Sequence, residues 1–300
     1  MTDAGIYVAA SISTVTAMSA LGAILCWGQS ASDRRLLIAI VLTGLPLSAC
    51  AFHLIRMPVD RWLADNLVNW PGLLTTLRIC YAPLTEEPAK LLIFCVPWVW
   101  RQVNRRNIPQ VALAVGLGFG IGEAWMLAEL LSGKTEIAGL PWHALWGFIV
   151  ERALVCFIHA GFTSVALLGL VRRRALPAVL LIGLAMALHF VANFPIYLSG
   201  RDLFSLGKGT WSVLLALWVQ LLVVMSVLWL ARLTGWRIRD FILPGQVRCP
   251  GCGIIYKSPL LGVNLLDRRY ERCPACMSWH MITAKDRVLM AMETRPPQTK

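Results

Sequence analysis

Residues 176–198 read LPAVLLIGLAMALHFVANFPIYL, a run without one charged side chain, in which His189, Asn193 and the Tyr197 hydroxyl are the only polar groups. A helix of that length at ~1.5 Å per residue spans about 34 Å, enough to cross a hydrocarbon layer of ~30 Å. Comparable runs lie at about 6–28, 36–55, 71–100, 111–131, 144–171 and 211–233. Seven membrane spans are therefore expected. The first run has no basic flank before it and Asp3 as its only early charge, so it reads as a retained helix and not as a secretory signal.

Composition excludes the alternative of a soluble domain. The 300 residues are 57% hydrophobic and 15% charged, with a mean hydropathy of +0.65, where a soluble chain would carry roughly 25% charged residues. The net charge of +12 acquires meaning from its distribution. With seven spans, 11 basic residues (Arg34, Arg35, Arg101, Arg105, Arg106, Arg172, Arg173, Arg174, Arg232, Arg237, Arg239) fall on one side and five (Arg56, Arg61, Lys134, Arg201, Lys208) on the other. The positive-inside rule then puts the N-terminus outside and the C-terminus in the cytoplasm, in a cell inner or plasma membrane.

The third run would be about 45 Å long as one helix. The stretch Ala82-Pro83-Leu84-Thr85-Glu86-Glu87-Pro88 offers a break, with Thr85 as cap of a restarted helix.

Charges at membrane depth cost about 2.5–3.5 kcal/mol each on insertion scales, so each one needs a reason. Glu86, Glu87 and Lys90 lie midway along the third run, Glu123 midway along the fourth, His159 along the fifth, and His189 with Asn193 along the sixth. Lys90 follows Glu86 by four positions and Glu87 by three, so one cation can face both carboxylates. That leaves one carboxylate for general-base work, with histidines and Asn193 to shuttle a proton or stabilise an oxyanion. A structural ion pair with interhelical histidine contacts is the plainer reading of the same residues. A non-enzymatic membrane scaffold and an ion- or proton-coupled transporter are the other functional classes, although no second interrupted Glu-Glu helix is present. Glu129, Arg78 and Arg152 read as structural, and His53 and His143 as boundary residues.

The order EExxK (Glu86 to Lys90), FxxxE (Phe119 to Glu123), a lone His159 and HxxxN (His189 to Asn193) over residues 70–198 resembles the PrsW family of intramembrane proteases, relatives of the type II CAAX prenyl endopeptidases. The resemblance implies cleavage of membrane-anchored protein substrates at the bilayer. Carried over, it implies Glu86 and Glu87 as the water-activating pair, Glu123 and His159 as helpers, and His189 with Asn193 on the oxyanion side. Both metal-dependent and glutamic mechanisms are described for such proteins; the lack of an HExxH helix favours the glutamic one.

From residue 234 the character changes. Cys249-Pro-Gly-Cys252 and Cys273-Pro-Ala-Cys276 enclose 20 residues, a spacing for four thiolates on one structural zinc. The domains expected are thus 1–233 in the membrane, a cytoplasmic zinc ribbon over 234–290, and a disordered tail over 291–300. Basic residues Arg248, Lys257, Arg268, Arg269 and Arg272 suit an anionic lipid or a cytoplasmic protein partner, with nucleic acid ranked last. The remaining five cysteines sit in apolar runs as small hydrophobes.

Overall fold

Glycine spacing explains the centre of the fold. The computed structural model describes residues 4–27, 29–201, 204–235, 245–259, 262–265 and 268–287. Helix α6 (Ile108–Ser132) is buried along most of its length and packs against α1 (Ala4–Cys26), α2 (Ala31–Cys50) and α7 (Trp146–Leu170). Gly118 and Gly122 meet α2 so closely that a Cβ would come 2.4 Å from the Val41 carbonyl oxygen and 2.0 Å from that of Leu45. Gly116 and Gly120 do the same toward α7, at 2.4 Å from the Cys156 carbonyl oxygen and 2.7 Å from its Sγ. Small residues let helices approach in lipid, where dispersion and not dehydration drives association. The two glycine pairs thus make α6 the filling of a three-helix layer.

Among the described residues six helices, not seven, are long and apolar enough to cross a membrane: Ala4–Cys26, Ala31–Asn66, Ile108–Ser132, Trp142–Leu170, Ala175–Gly200 (α8) and Gly207–Leu233 (α9). The second exceeds its expected bounds, because α2 runs through a π-helical turn, Ala51–Arg56, into α3 (Met57–Asn66). It starts at Ser30, whose Oγ accepts from the Asp33 backbone N–H at 3.1 Å.

The expected third span corresponds to α4 (Pro71–Leu91), a 3-10 turn (Leu92–Cys95) and the short α5 (Pro97–Gln102). Arg78, Glu86, Glu87 and Lys90 set α4 apart from the six. The break is also displaced. Pro83 and Pro88 stand inside a continuous helix, and Thr85 Oγ1 donates to the Ala82 carbonyl at 2.9 Å instead of capping a restart. A proline inside a packed membrane helix is tolerated when neighbours take up the freed polar groups. The chain turns extended at Val96, directly before Pro97.

Contacts divide the chain into units Met1–Val227 and Leu228–Lys300. The second holds two small antiparallel sheets, β1 (Gln246–Arg248) with β2 (Ile255–Lys257), and β3 (Val263–Leu265), β4 (Arg268–Arg272) and β5 (Trp279–Thr283) in that order. Residues 291–300 lie outside the described residues.

Candidate active site

The continuous α4 helix puts Glu86, Glu87 and Lys90 on the side facing α2, α7 and α8, and their partners come from four other segments. Lys90 is fully buried. Its Nζ donates to Glu87 Oε1 at 2.5 Å and to His159 Nδ1 of α7 at 2.8 Å, and it stands 4.8 Å from the centre of the Phe119 ring. Because an ammonium only donates, His159 Nδ1 is the acceptor, and its Nε2–H donates to Glu123 Oε2 of α6 at 2.9 Å. Arg152, one heptad before His159 on α7, adds Nη1 to Glu123 Oε2 at 3.2 Å and also pairs with Glu151.

A second branch runs through α8. His189 Nδ1 donates to Glu87 Oε1 at 2.7 Å, and its ring stacks on Phe162 at 5.3 Å between centroids. The other nitrogen, Nε2, is 3.6 Å from Glu86 Oε2, too far for a hydrogen bond. Glu86 Oε1 is held instead by Arg56 Nη1 at 2.7 Å. Its Oε2 is buried without a hydrogen-bond partner.

Five residues expected from the sequence, Glu86, Glu87, Glu123, His159 and His189, therefore meet in one cluster. Asn193 lies one turn beyond His189, half-buried, and makes no side-chain hydrogen bond among the described residues. Lys90 does not serve both carboxylates. It takes Glu87, and Arg56 takes Glu86. Arg56 falls at the end of the π-helical turn, beyond the bound expected for its span, so sequence reading places it in a loop. Arg152 is legible from its seven-residue spacing to His159, which puts both on one helix face. Arg78 pairs with Asp60 at 2.8 Å, and Tyr81 donates to the same carboxylate, outside this cluster. Glu129 is exposed beside a groove of about 860 Å³ between α1, α2 and α6.

Among the described residues, the group of His, Cys, Asp or Glu side chains placed to hold a metal ion is Cys249, Cys252, Cys273 and Cys276, whose ligand atoms all lie within 4.8 Å of one another. Each pair forms the turn of one hairpin, and the two turns repeat the same backbone pattern. The Cys249 N–H donates to Ile254 and the Gly253 N–H to Cys249; the Cys273 N–H donates to Ser278 and the Met277 N–H to Cys273. Gly253 and Met277 both adopt positive φ, +76° and +59°. The Sγ separations of 3.8 Å for Cys249–Cys276 and Cys252–Cys273 equal the edge of a tetrahedron with bonds of about 2.3 Å, the zinc–thiolate length. These four could hold a metal such as zinc. A backbone hydrogen bond from Ser278, and then the His280 ring 3.4 Å away, lower the Cys276 thiol to about 6. His280 lies beside Cys276 and outside the four-cysteine group.

Of the five basic residues expected on the ribbon's surface, Arg268 and Arg269 are buried. Arg269 donates Nε to Glu271 at 2.8 Å, and Glu271, fully buried, also accepts from Tyr256 at 2.8 Å and from Ser258. This network ties β2 to β4 and holds the Tyr256 phenol well above its usual range, by burial and then by the Glu271 hydrogen bond.

A protein-family model described as PrsW family intramembrane metalloprotease matches residues 32–231, from α2 through the last membrane helix. No curated protein and no solved structure shows a significant match to the chain. Together with the six apolar helices and the buried Glu–His cluster, the match over two thirds of the residues establishes that this integral membrane protein belongs to the PrsW family of intramembrane proteases.

Proposed function

We propose that the chain hydrolyses a peptide bond of a membrane-anchored protein, with a water activated between Glu86 and His189. The observation that carries this reading is the unequal state of the two glutamates. Glu87 already accepts from Lys90 and His189, whereas Glu86 Oε2 is buried and unbonded. Because His189 Nδ1–H faces Glu87, its Nε2 presents a lone pair toward Glu86 Oε2, 3.6 Å away. Two acceptors at that separation suit one water about 2.8 Å from each, giving a hydrogen bond to both.

Glu86 takes a proton as the water oxygen attacks the carbonyl carbon, and returns that proton to the departing amine nitrogen as the C–N bond breaks. Asn193, free one turn away, supplies the amide donor for the oxyanion. Glu87, Lys90, His159, Glu123 and Arg152 act as a chain that holds His189 in the tautomer and orientation the reaction needs.

The family description implies a metal, and this cluster does not fit one. Both His159 nitrogens, His189 Nδ1, Glu87 Oε1, Glu123 Oε2 and Glu86 Oε1 are already engaged by protein partners, and His189 Nε2 with Glu86 Oε2 is the facing pair left over. The Lys90 ammonium occupies the centre, and Arg56, Lys90 and Arg152 already offset Glu86, Glu87 and Glu123. The proposed mechanism is glutamic.

In the ribbon the donors do fit, and we assign a structural zinc to Cys249, Cys252, Cys273 and Cys276, whose four ligands close the coordination sphere. The loop charges support an orientation with the N-terminus outside and the ribbon in the cytoplasm, which counts α4 as a seventh crossing. The domains are then 1–233 for the protease and 234–290 for the ribbon.

The test compares membrane-protein N-termini, by mass spectrometry, in cells expressing the intact protein and equal amounts of Glu86→Gln. New N-termini confined to the intact protein are expected. Identical profiles across growth and stress conditions would refute proteolysis.

A further inference from the structure

Strand register sorts the ribbon's side chains into an inner and an outer set. In the three-stranded sheet Val263 pairs with Tyr270, Tyr270 with Met281, and Arg272 with Trp279. Paired residues share a face and alternate with their chain neighbours, so these five stand on one face, opposite Arg269 and Glu271 of the buried network. Val263 is 48% and Trp279 54% exposed, Tyr270 and Met281 are half-buried, and Arg272 is exposed. Trp279 stacks on Tyr270 at 5.1 Å between centroids. In the two-stranded sheet Arg248 pairs with Ile255, and both are exposed beside Lys257. A small metal-stabilised domain thus shows water a stacked aromatic pair with aliphatic neighbours.

Among the described residues, the exposed charge on this domain has one sign. Among the described residues of the ribbon, the exposed charged side chains are Arg248, Lys257, Arg272 and Lys285, while Glu271 is fully buried and Asp286 is engaged by the Thr283 side chain and N–H. The tether limits where that surface can go. Twelve residues separate Leu233, the end of the last membrane helix, from Gln246, and a chain of twelve residues reaches at most about 43 Å. Trp and Tyr favour the headgroup level of a bilayer, and Lys and Arg are drawn to anionic lipid within a Debye length.

We propose that the Val263–Tyr270–Met281–Trp279 face of the ribbon, with Arg272 at its edge, docks on the anionic phospholipid headgroups of the membrane that holds the protein. Trp279 and Tyr270 enter the headgroup layer, and Arg272, Arg248 and Lys257 meet lipid phosphates. The ribbon is then a lipid-sensing appendage that lies on the membrane surface. This inference is independent of proteolysis.

The experiment places the photocrosslinker p-benzoylphenylalanine at Val263, and separately at Met281, in the full-length protein. Nanodiscs contain phosphatidylcholine alone or with phosphatidylglycerol, and zinc content is checked before illumination. Phosphatidylglycerol adducts at both positions are expected, enriched over its share of the lipid. Arg272→Gln should reduce them about fivefold, the effect of removing one surface cation, and high salt should suppress them. Adducts in proportion to bulk lipid, crosslinks to a second copy of the chain, or no adduct with zinc retained would each overturn the proposal.

Discussion

Arg56 Nη1 lies 2.7 Å from Glu86 Oε1, joining the last residue of a π-helical turn to the carboxylate whose other oxygen is unbonded. The turn matters because π-helical residues shift the rotation of the helix beyond them, and such turns recur at functional sites. Without it Arg56 would point elsewhere around the helix. The guanidinium offsets the charge of Glu86 and fixes its orientation while leaving Oε2 unbonded.

Replacing Arg56 with Gln should lower the accumulation of cleaved N-termini by about 10- to 100-fold, the equivalent of a charge-assisted hydrogen bond of about 1.5–3 kcal/mol. Arg56→Lys, which keeps the charge but not the fork, should recover part of it. Equal cleavage by Arg56→Gln at matched protein levels would remove Arg56 from the site.

The two glutamates should respond differently. Glu87→Gln removes the anion against which Lys90 is buried, and breaking a buried pair costs about 3–5 kcal/mol. Glu86→Gln keeps a hydrogen-bond acceptor for Arg56 and leaves the Lys90 pair intact. Thermal unfolding in detergent should therefore fall clearly for Glu87→Gln and little for Glu86→Gln, while both lose cleavage. The reverse order of stabilities would contradict the assigned roles.

Gly122→Ala tests the central helix. Its Cβ would come 2.0 Å from the Leu45 carbonyl oxygen, so α2 and α6 must separate, at an overpacking cost of about 1–3 kcal/mol. Gly133→Ala, where an added Cβ meets nothing within 4 Å, should leave melting unchanged. Matching losses in the two variants would mean that close approach at Gly122 is not what holds α6.

The ribbon carries two predictions of its own. Glu271→Gln leaves Arg269 buried without its counter-ion and should destabilise the ribbon by about 3–5 kcal/mol, read as rapid proteolysis of the segment after residue 245. Met277→Gly should leave zinc content unchanged and slow proteolysis, because Met277 holds the positive φ that Gly253 takes in the matching turn. Faster cleavage of Met277→Gly would show that the Met277 side chain matters more than its backbone strain.

Much of this protein could be read before any coordinates. The apolar runs determined a helical membrane protein because each helix satisfies its own backbone in lipid, and the four cysteines determined a metal-type knuckle pair because their spacing is local. Glu86, Glu87, Glu123, His159 and His189 stood out since a buried ionisable group needs a reason wherever it sits. What tertiary structure alone decided is how those charges pair. Lys90 could serve either glutamate by helical spacing, and the choice came from Arg56, brought to Glu86 across 30 positions by a π-helical turn that no local pattern announces. The helix through Pro83 and Pro88, and the burial of Arg268 and Arg269, likewise depend on neighbours distant in sequence. Propensity and charge are properties of a residue, whereas a partner is a property of the fold.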